Sequence, residues 1–171
     1  TMTPTLHTFI QALQTPEISF ATLTDARPVM QTGGIPQLMR TTRFAEAEID
    51  WRGERWLLSL PLSPAALAAV ERTASQAGRL NTEWLTEYRI LPGELCWVDA
   101  TEHPQSCDLV LQRLPAGRSF AEALLTEPAE RLLAGLDALQ AALRELGFSH
   151  NNLRAGNLRW CGGRFIPLRY H

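Results

Sequence analysis

The sequence predicts an α+β fold in which a five-stranded antiparallel sheet with one helix is followed by a shortened, mostly helical part. Three observations carry this expectation. Phe44 to Leu60 and Tyr88 to Val98 both read as hairpins, with apolar alternation on either side of a tight turn. After Pro115 the apolar spacing changes from period two to helical period. Leu132, Leu136, Leu139, Leu143 and Leu146 then form one leucine stripe, the face of a long amphipathic helix.

The elements follow in order. Leu6, Phe9, Ile10 and Leu13 have helical spacing and stop before Pro16, so a short helix is expected at the start. From Phe20 to Arg40 the pattern is irregular, and Gly33, Gly34 and Pro36 mark a loop. Ala45, Ala47, Ile49 and Trp51 alternate into the turn Arg52-Gly53-Glu54 and return through Trp56 to Leu60 as a second strand. Ser63 is an N-cap followed by Pro64, and the strong helix formers of Ala65 to Ala77 end at Gly78. Tyr88 to Leu91 and Leu95 to Val98 are joined by Pro92-Gly93, which suits the centre of a type II turn. Asp108 to Leu114 is one more strand, closed by Pro115-Ala116-Gly117. Ser119 and Glu122 make a capping box, and Gly147 ends the long helix by accepting the left-handed conformation.

Composition narrows the chemistry. With 171 residues and 45% hydrophobic content the chain can bury a real core, and a formal charge of -2 without a basic block argues against nucleic acid as partner. All 16 basic residues counted as Lys+Arg are arginine. A lysine Schiff base, a P-loop lysine and a kinase-type phosphate-holding lysine are therefore excluded. Cys96, Cys107 and Cys161 show no metal-ligand spacing and read as reduced thiols. No apolar run reaches the ~18 residues needed to span a bilayer, and the first residues lack the features of a signal peptide. A cytoplasmic protein without membrane association is expected.

The segment His150-Asn151-Asn152-Leu153-Arg154-Ala155-Gly156-Asn157-Leu158 resembles the catalytic loop of the protein kinase family, His-Arg-Asp-Leu-x-x-x-Asn, with His150, Leu153 and Asn157 in register. The preceding helix end and glycine turn, Leu143 to Ser149, and the connector Leu114 to Phe120, with Pro115 and Gly117 as a hinge, fit the same resemblance. It implies a kinase-like N-lobe over 44–114 and a truncated C-lobe over 115–171, preceded by an N-terminal extension over 1–43.

The departures from the family pattern imply lost catalysis. Asn152 stands where the proton-accepting aspartate belongs, and an amide is no base at neutral pH. Beyond Asn157, Leu158 to Trp160 and Arg164 to Ile166 read as strands around Cys161-Gly162-Gly163, which brings Arg169-Tyr170-His171 to the position of Asp-Phe-Gly. A guanidinium there repels a divalent cation, so neither a metal nor another cofactor is expected. The resemblance thus implies a degenerate, pseudokinase-like module that binds a protein partner or regulates one, with homodimerisation as one way to cover the leucine-striped helix. The alternatives are a non-catalytic module for a nucleotide or small molecule, and part of a phosphotransferase completed by a further C-terminal region. His150 is read as a structural histidine bonding backbone beneath the loop, and the five tryptophans as core residues.

Overall fold

A computed structural model describes residues 4–80, 82–150 and 153–170. Helix α1 (Leu6–Gln14) starts where the Thr5 hydroxyl accepts from Thr8 N–H, and the short α2 (Pro16–Ser19) follows it. Strands β1 (Arg27–Pro28), β2 (Leu38–Arg40), β3 (Phe44–Trp51), β4 (Glu54–Pro61), β5 (Tyr88–Val98) and β6 (Pro104–Arg113) form one antiparallel sheet. Its order is β1-β3-β4-β6-β5, with β2 paired to the other half of the β3 edge, and it curls into a half-barrel. Helix α3 (Pro64–Gly78) connects β4 to β5 and is capped by Ser63, whose hydroxyl accepts from Ala66 N–H.

The C-terminal part carries a second antiparallel sheet, β7 (Arg118–Ser119), β8 (Leu158–Cys161) and β9 (Arg164–Pro167), in the order β7-β8-β9. Helices α4 (Phe120–Thr126) and α5 (Ala129–Leu146) pack with it. The capping box at Ser119 and Glu122 has both of its hydrogen bonds, and Gly147 ends α5 with φ 65°. Leu132, Leu139 and Leu143 of the stripe are buried, and Gly135 lets α5 approach the rings of Trp160 and Phe165.

This architecture corrects the expected fold class. The protein is mostly antiparallel sheet with few helices, and it does not have a five-stranded kinase-like N-lobe above a helical C-lobe. Two physical causes account for the difference. Pro92 and Gly93 do not turn the chain: β5 runs straight through them and pairs with β6 on both sides, Leu91 opposite Leu109 and Leu95 opposite Cys107. The surplus residues form a bulge, in which Gly93 (φ 58°) donates its N–H to Asp108 Oδ1 at 2.9 Å. The expected second hairpin is thus one bulged strand. The second cause is the segment before β3, which supplies β1 and β2 to the edge of that strand although it is too short in each piece to show alternation.

The bulge also anchors the N-terminal segment. Glu94 is buried, and its carboxylate accepts from Thr22 N–H at 2.7 Å, the Thr22 hydroxyl at 2.5 Å and Leu23 N–H at 3.0 Å. A buried carboxylate is tolerated when its oxygens are hydrogen-bonded in this way.

Strand alternation divides the apolar residues between two faces. Ala45, Ala47 and Ile49 lie opposite Leu60, Leu58 and Trp56, and these side chains pack with Phe9, Leu13, Phe20 and Leu23 on one face of the main sheet. Phe44, Tyr88 and Val110 point to the other face and pack with Val70 of α3, with α5 and with Trp160, Phe165 and Tyr170. Of the tryptophans, Trp51 and Trp56 are buried with their indole N–H groups on Asp25 Oδ1 at 3.0 Å and Trp51 O at 3.1 Å.

Candidate functional site

Period two places Glu46 on the same sheet face as Phe44, beneath the C-terminal segment, although it sits in an otherwise ordinary alternating strand. Its side chain is only 4% exposed, and its carboxylate accepts from Arg169 Nε at 2.6 Å. The same guanidinium donates from Nη1 to Gly156 O at 3.2 Å and to Asn157 Oδ1 at 3.3 Å. Arg169 has φ 53°, the left-handed region that costs a non-glycine residue about 1–3 kcal/mol, and the backbone is held there by these bonds and by Arg169 N–H on Gln112 Oε1 at 2.9 Å.

The network continues inward. Gln112 donates from Nε2 to Thr86 Oγ1 at 3.1 Å, and Thr86 N–H donates to the Tyr170 hydroxyl at 3.0 Å. Tyr170 is fully buried, stacked on Tyr88 with centroids 5.2 Å apart and met edge-on by Phe148 and His150. Burial pushes the phenols of Tyr170 and Tyr88 above their ordinary range, for Tyr88 with help from Tyr170 and Glu46, so both stay neutral near pH 7.

Above this network lies a cleft of about 460 Å³ between the β2–β3 edge and the turn Ala155–Asn157, a single 3-10 turn that leads into β8. Arg43, Arg154, Arg169, Thr41, Thr42 and Glu46 supply its polar lining together with Asn157. Among the described residues three guanidinium groups thus face one carboxylate, and that carboxylate is already held by Arg169. Neither Arg43 nor Arg154 has an ion-pair partner among the described residues; Arg43 lies 6.0 Å from the Phe44 ring centroid. The Thr41 hydroxyl accepts from Phe44 N–H at 3.1 Å and so fixes the loop that carries Thr42 and Arg43.

The residues singled out by the sequence fall in several places. Asn157 and Arg169 meet in the cleft. His150 does not line the cleft: its Nε2 lies 2.8 Å from Leu168 O, and it borders a depression along α5. Leu153 is 39% exposed and borders shallow apolar depressions along α5, away from the cleft. Tyr170 is in the core, and Asn152 and His171 lie outside the described residues. Pro115 and Gly117 lead into β7. Glu46, Gln112 and Arg43 are members of the site that sequence reasoning did not single out. The only signal for Glu46 is an acid in a strand segment whose neighbours prove buried on both faces.

Gly117 has a role of its own. A Cβ there would lie 2.5 Å from Trp160 O and 2.7 Å from Cys161 Sγ, so the close approach of β7 to β8 requires glycine. Gly117→Ala is expected to destabilise the protein by about 1–3 kcal/mol through overpacking against backbone. Chemical denaturation measures the loss, and an unchanged midpoint would show that β7 can move away freely.

Further groups bear on the chemistry available. Cys96, Cys107 and Cys161 are free, and burial pushes the Cys107 thiol up to about 12 and the Cys161 thiol upward, so neither of these two is a ready nucleophile. Arg118 and Arg131 hold Glu127 as an ion pair, and the hydrogen bond from Arg118 keeps that carboxyl below its usual range. Among the described residues no group of three or more His, Cys, Asp or Glu side chains is placed to hold a metal ion, and no helix is long and apolar enough to cross a membrane.

Fold and site together define the class: a mostly antiparallel two-sheet protein with few helices and an arginine-lined cleft over an ion pair whose carboxylate is buried. No protein-family model matches the chain, and no curated protein matches it. The functional reading therefore rests on the geometry of the cleft.

Proposed function

We propose that the protein is a non-catalytic binding module whose cleft takes a nucleotide or another small anionic molecule. The observation that carries this reading is the excess of guanidinium groups in the cleft lining, with Arg43 and Arg154 at hand for an anion and Arg169 engaged with Glu46. Arginine forks suit phosphate and carboxylate oxygens, and such charge-assisted hydrogen bonds are the strong ones. Against phosphoryl transfer stands the engagement of Glu46, the one carboxylate of the lining among the described residues, whose Oε2 accepts from Arg169 and so is poorly suited to act as a general base.

A thermal-shift screen with ADP, ATP and related anions in chelator tests the reading. A ligand at about 100 times its Kd stabilises by about 2.7 kcal/mol, a rise of roughly 5–10 °C for a chain of this size. Thr42→Trp, which fills the cleft, is expected to abolish the rise without lowering the melting temperature of the free protein. Failure of every anion to stabilise the parent chain, or equal stabilisation of Thr42→Trp, would overturn it.

A second reading, contact with another copy of the chain, is favoured by one observation: Leu124, Leu125 and Leu133 of α4 and α5 are 56%, 87% and 62% exposed. Covering exposed apolar side chains of this size is the usual drive for association. Light scattering across a concentration series, with Leu125→Asp as the comparison, decides whether the chain self-associates through them.

A further inference from the structure

The arginine-lined cleft is continued on the far side of the Glu46–Arg169 pair. A second depression of about 170 Å³ adjoins it there and shares Met39, Glu46 and Arg169 with its lining. Strand register explains how the two follow one another: Met39 lies opposite Glu46 and Leu57 opposite Glu48, so β2, β3 and β4 present these side chains on the face that carries Phe44. The rise of a strand puts Glu48 about 13 Å beyond Phe44. One groove thus runs along β3, with Arg43 and Arg154 at one end and Gln37 and Glu48 at the other. Leu57 and Met39 give the far part an apolar surface, and the pair between the two parts balances its own charge. Glu48, 35% exposed, meets Arg55 Nη1 at 3.9 Å, whereas Arg55 Nε lies 2.7 Å from Asp50 Oδ1. Its carboxylate is therefore open to a stronger partner.

We infer that this depression is the subsite for the body of the anion that the cleft takes, and that the body is a single apolar ring with an amino group at its far end. The inference rests on the anion-binding reading above, which places the head group at Arg43 and Arg154. Size argues for one ring, because an apolar cavity of about 150 Å³ holds a benzene-sized molecule. Charge argues for the amine: an ammonium donates to the Glu48 carboxylate, and the Gln37 side-chain oxygen accepts a further hydrogen bond. The groove is positive at the head and negative at the far end, which matches the order anion, ring, amine and opposes the reverse. Complementarity of this kind fixes the orientation of a ligand more than it adds to affinity.

Isothermal titration of the whole chain with inorganic phosphate, phenyl phosphate and phosphotyramine tests this, since the three carry the head alone, the head with the ring, and both with the amine. Phenyl phosphate is expected to bind about tenfold tighter than phosphate, and phosphotyramine about threefold tighter again. Gln37→Trp, which fills the depression from its exposed rim, is expected to keep the affinity for phosphate and lose the gain from the ring. Glu48→Gln is expected to keep the gain from the ring and lose that from the amine. Amide spectra of the parent chain give a reading that depends on no variant: phenyl phosphate, unlike phosphate, is expected to shift Glu48 and Leu57. Phosphate binding without a gain from the ring, without a shift at those two amides, or with a gain that survives in Gln37→Trp overturns the subsite and leaves the anion cleft standing. An amine that adds nothing, or adds as much in Glu48→Gln, overturns the assignment of the amino end. Binding of none of the three compounds overturns the subsite together with the anion reading.

Discussion

Glu46→Ala is expected to lower stability by about 3–5 kcal/mol, the cost of leaving a largely buried charge without its partner. The substitution removes the carboxylate that accepts from Arg169 Nε at 2.6 Å, while Arg169, with its side chain only 18% exposed, keeps a full positive charge beneath the cleft. Its remaining acceptors, Gly156 O and Asn157 Oδ1, are neutral and longer, and they cannot offset that loss. The guanidinium then has to swing toward solvent or hold the charge in place, and either course disturbs the φ 53° backbone that presents it. For a chain of this length the expected fall in melting temperature is roughly 10 °C. The paired change Glu46→Gln with Arg169→Met tests the cause, because replacing both charges by groups of similar volume removes the uncompensated charge. It is expected to restore most of the loss, with a coupling energy of about 0.5–3 kcal/mol in the double-mutant cycle. Additive single effects would mean that the two side chains act through packing and not through their charges.

The parts of this fold that were legible in the sequence are those whose stability is local. Ser63 before Pro64, the Ser119 and Glu122 box and Gly147 at the end of α5 each act through backbone groups within a few residues, and each is found where expected. The β3–β4 and β8–β9 hairpins likewise announce themselves by alternation around a glycine turn. What was not legible depends on partners distant in sequence. Pro92-Gly93 carries the residue signature of a turn, and only the pairing of both halves of β5 with β6, reinforced by Glu94 gripping the segment near Thr22, converts it to a bulge. β1, β2 and β7 have two, three and two residues and owe their hydrogen bonds to the edges of β3 and β8. No periodicity can be seen in segments of that length.

The candidate site divides in the same way. Asn157 and Arg169 stood out because of a loop pattern, and they do lie within 3.3 Å of each other. Glu46, Gln112 and Thr86 did not, because burial of a polar side chain on the second face of a sheet is decided by what later covers that face. Here the cover is the run Leu168 to Tyr170, which places a buried Leu168, a cleft-facing Arg169 and a fully buried Tyr170 in succession. Three neighbouring residues therefore join both sheets through an apolar contact, an ion pair and an aromatic stack. Loss of any one of them should be felt by the other two.

Tyr170→Ala shows that coupling at its largest, with an expected loss of about 3–5 kcal/mol, the range found for deleting a fully buried aromatic side chain. The ring fills the space between Tyr88, Phe148 and His150 with centroid separations of 5.2, 5.0 and 5.5 Å, so its removal opens a cavity that three fixed rings cannot close. The hydroxyl adds a separate contribution because Thr86 N–H, buried, donates to it at 3.0 Å. Tyr170→Phe keeps the packing and leaves that donor unmet, and it is expected to cost about 1–3 kcal/mol by itself. Urea unfolding of both variants separates packing from hydrogen bonding. Native-state hydrogen exchange adds the structural consequence: in Tyr170→Ala the amides of Asn157, Leu168 and Arg169, whose acceptors are Arg154 O, Asn157 O and Gln112 Oε1, should exchange faster than those of α1 on the opposite face of the sheet. Uniform acceleration across the whole chain would mean that the C-terminal run has no independent local opening, whereas a loss under 1 kcal/mol in Tyr170→Ala would mean that it does not hold the two sheets together at all.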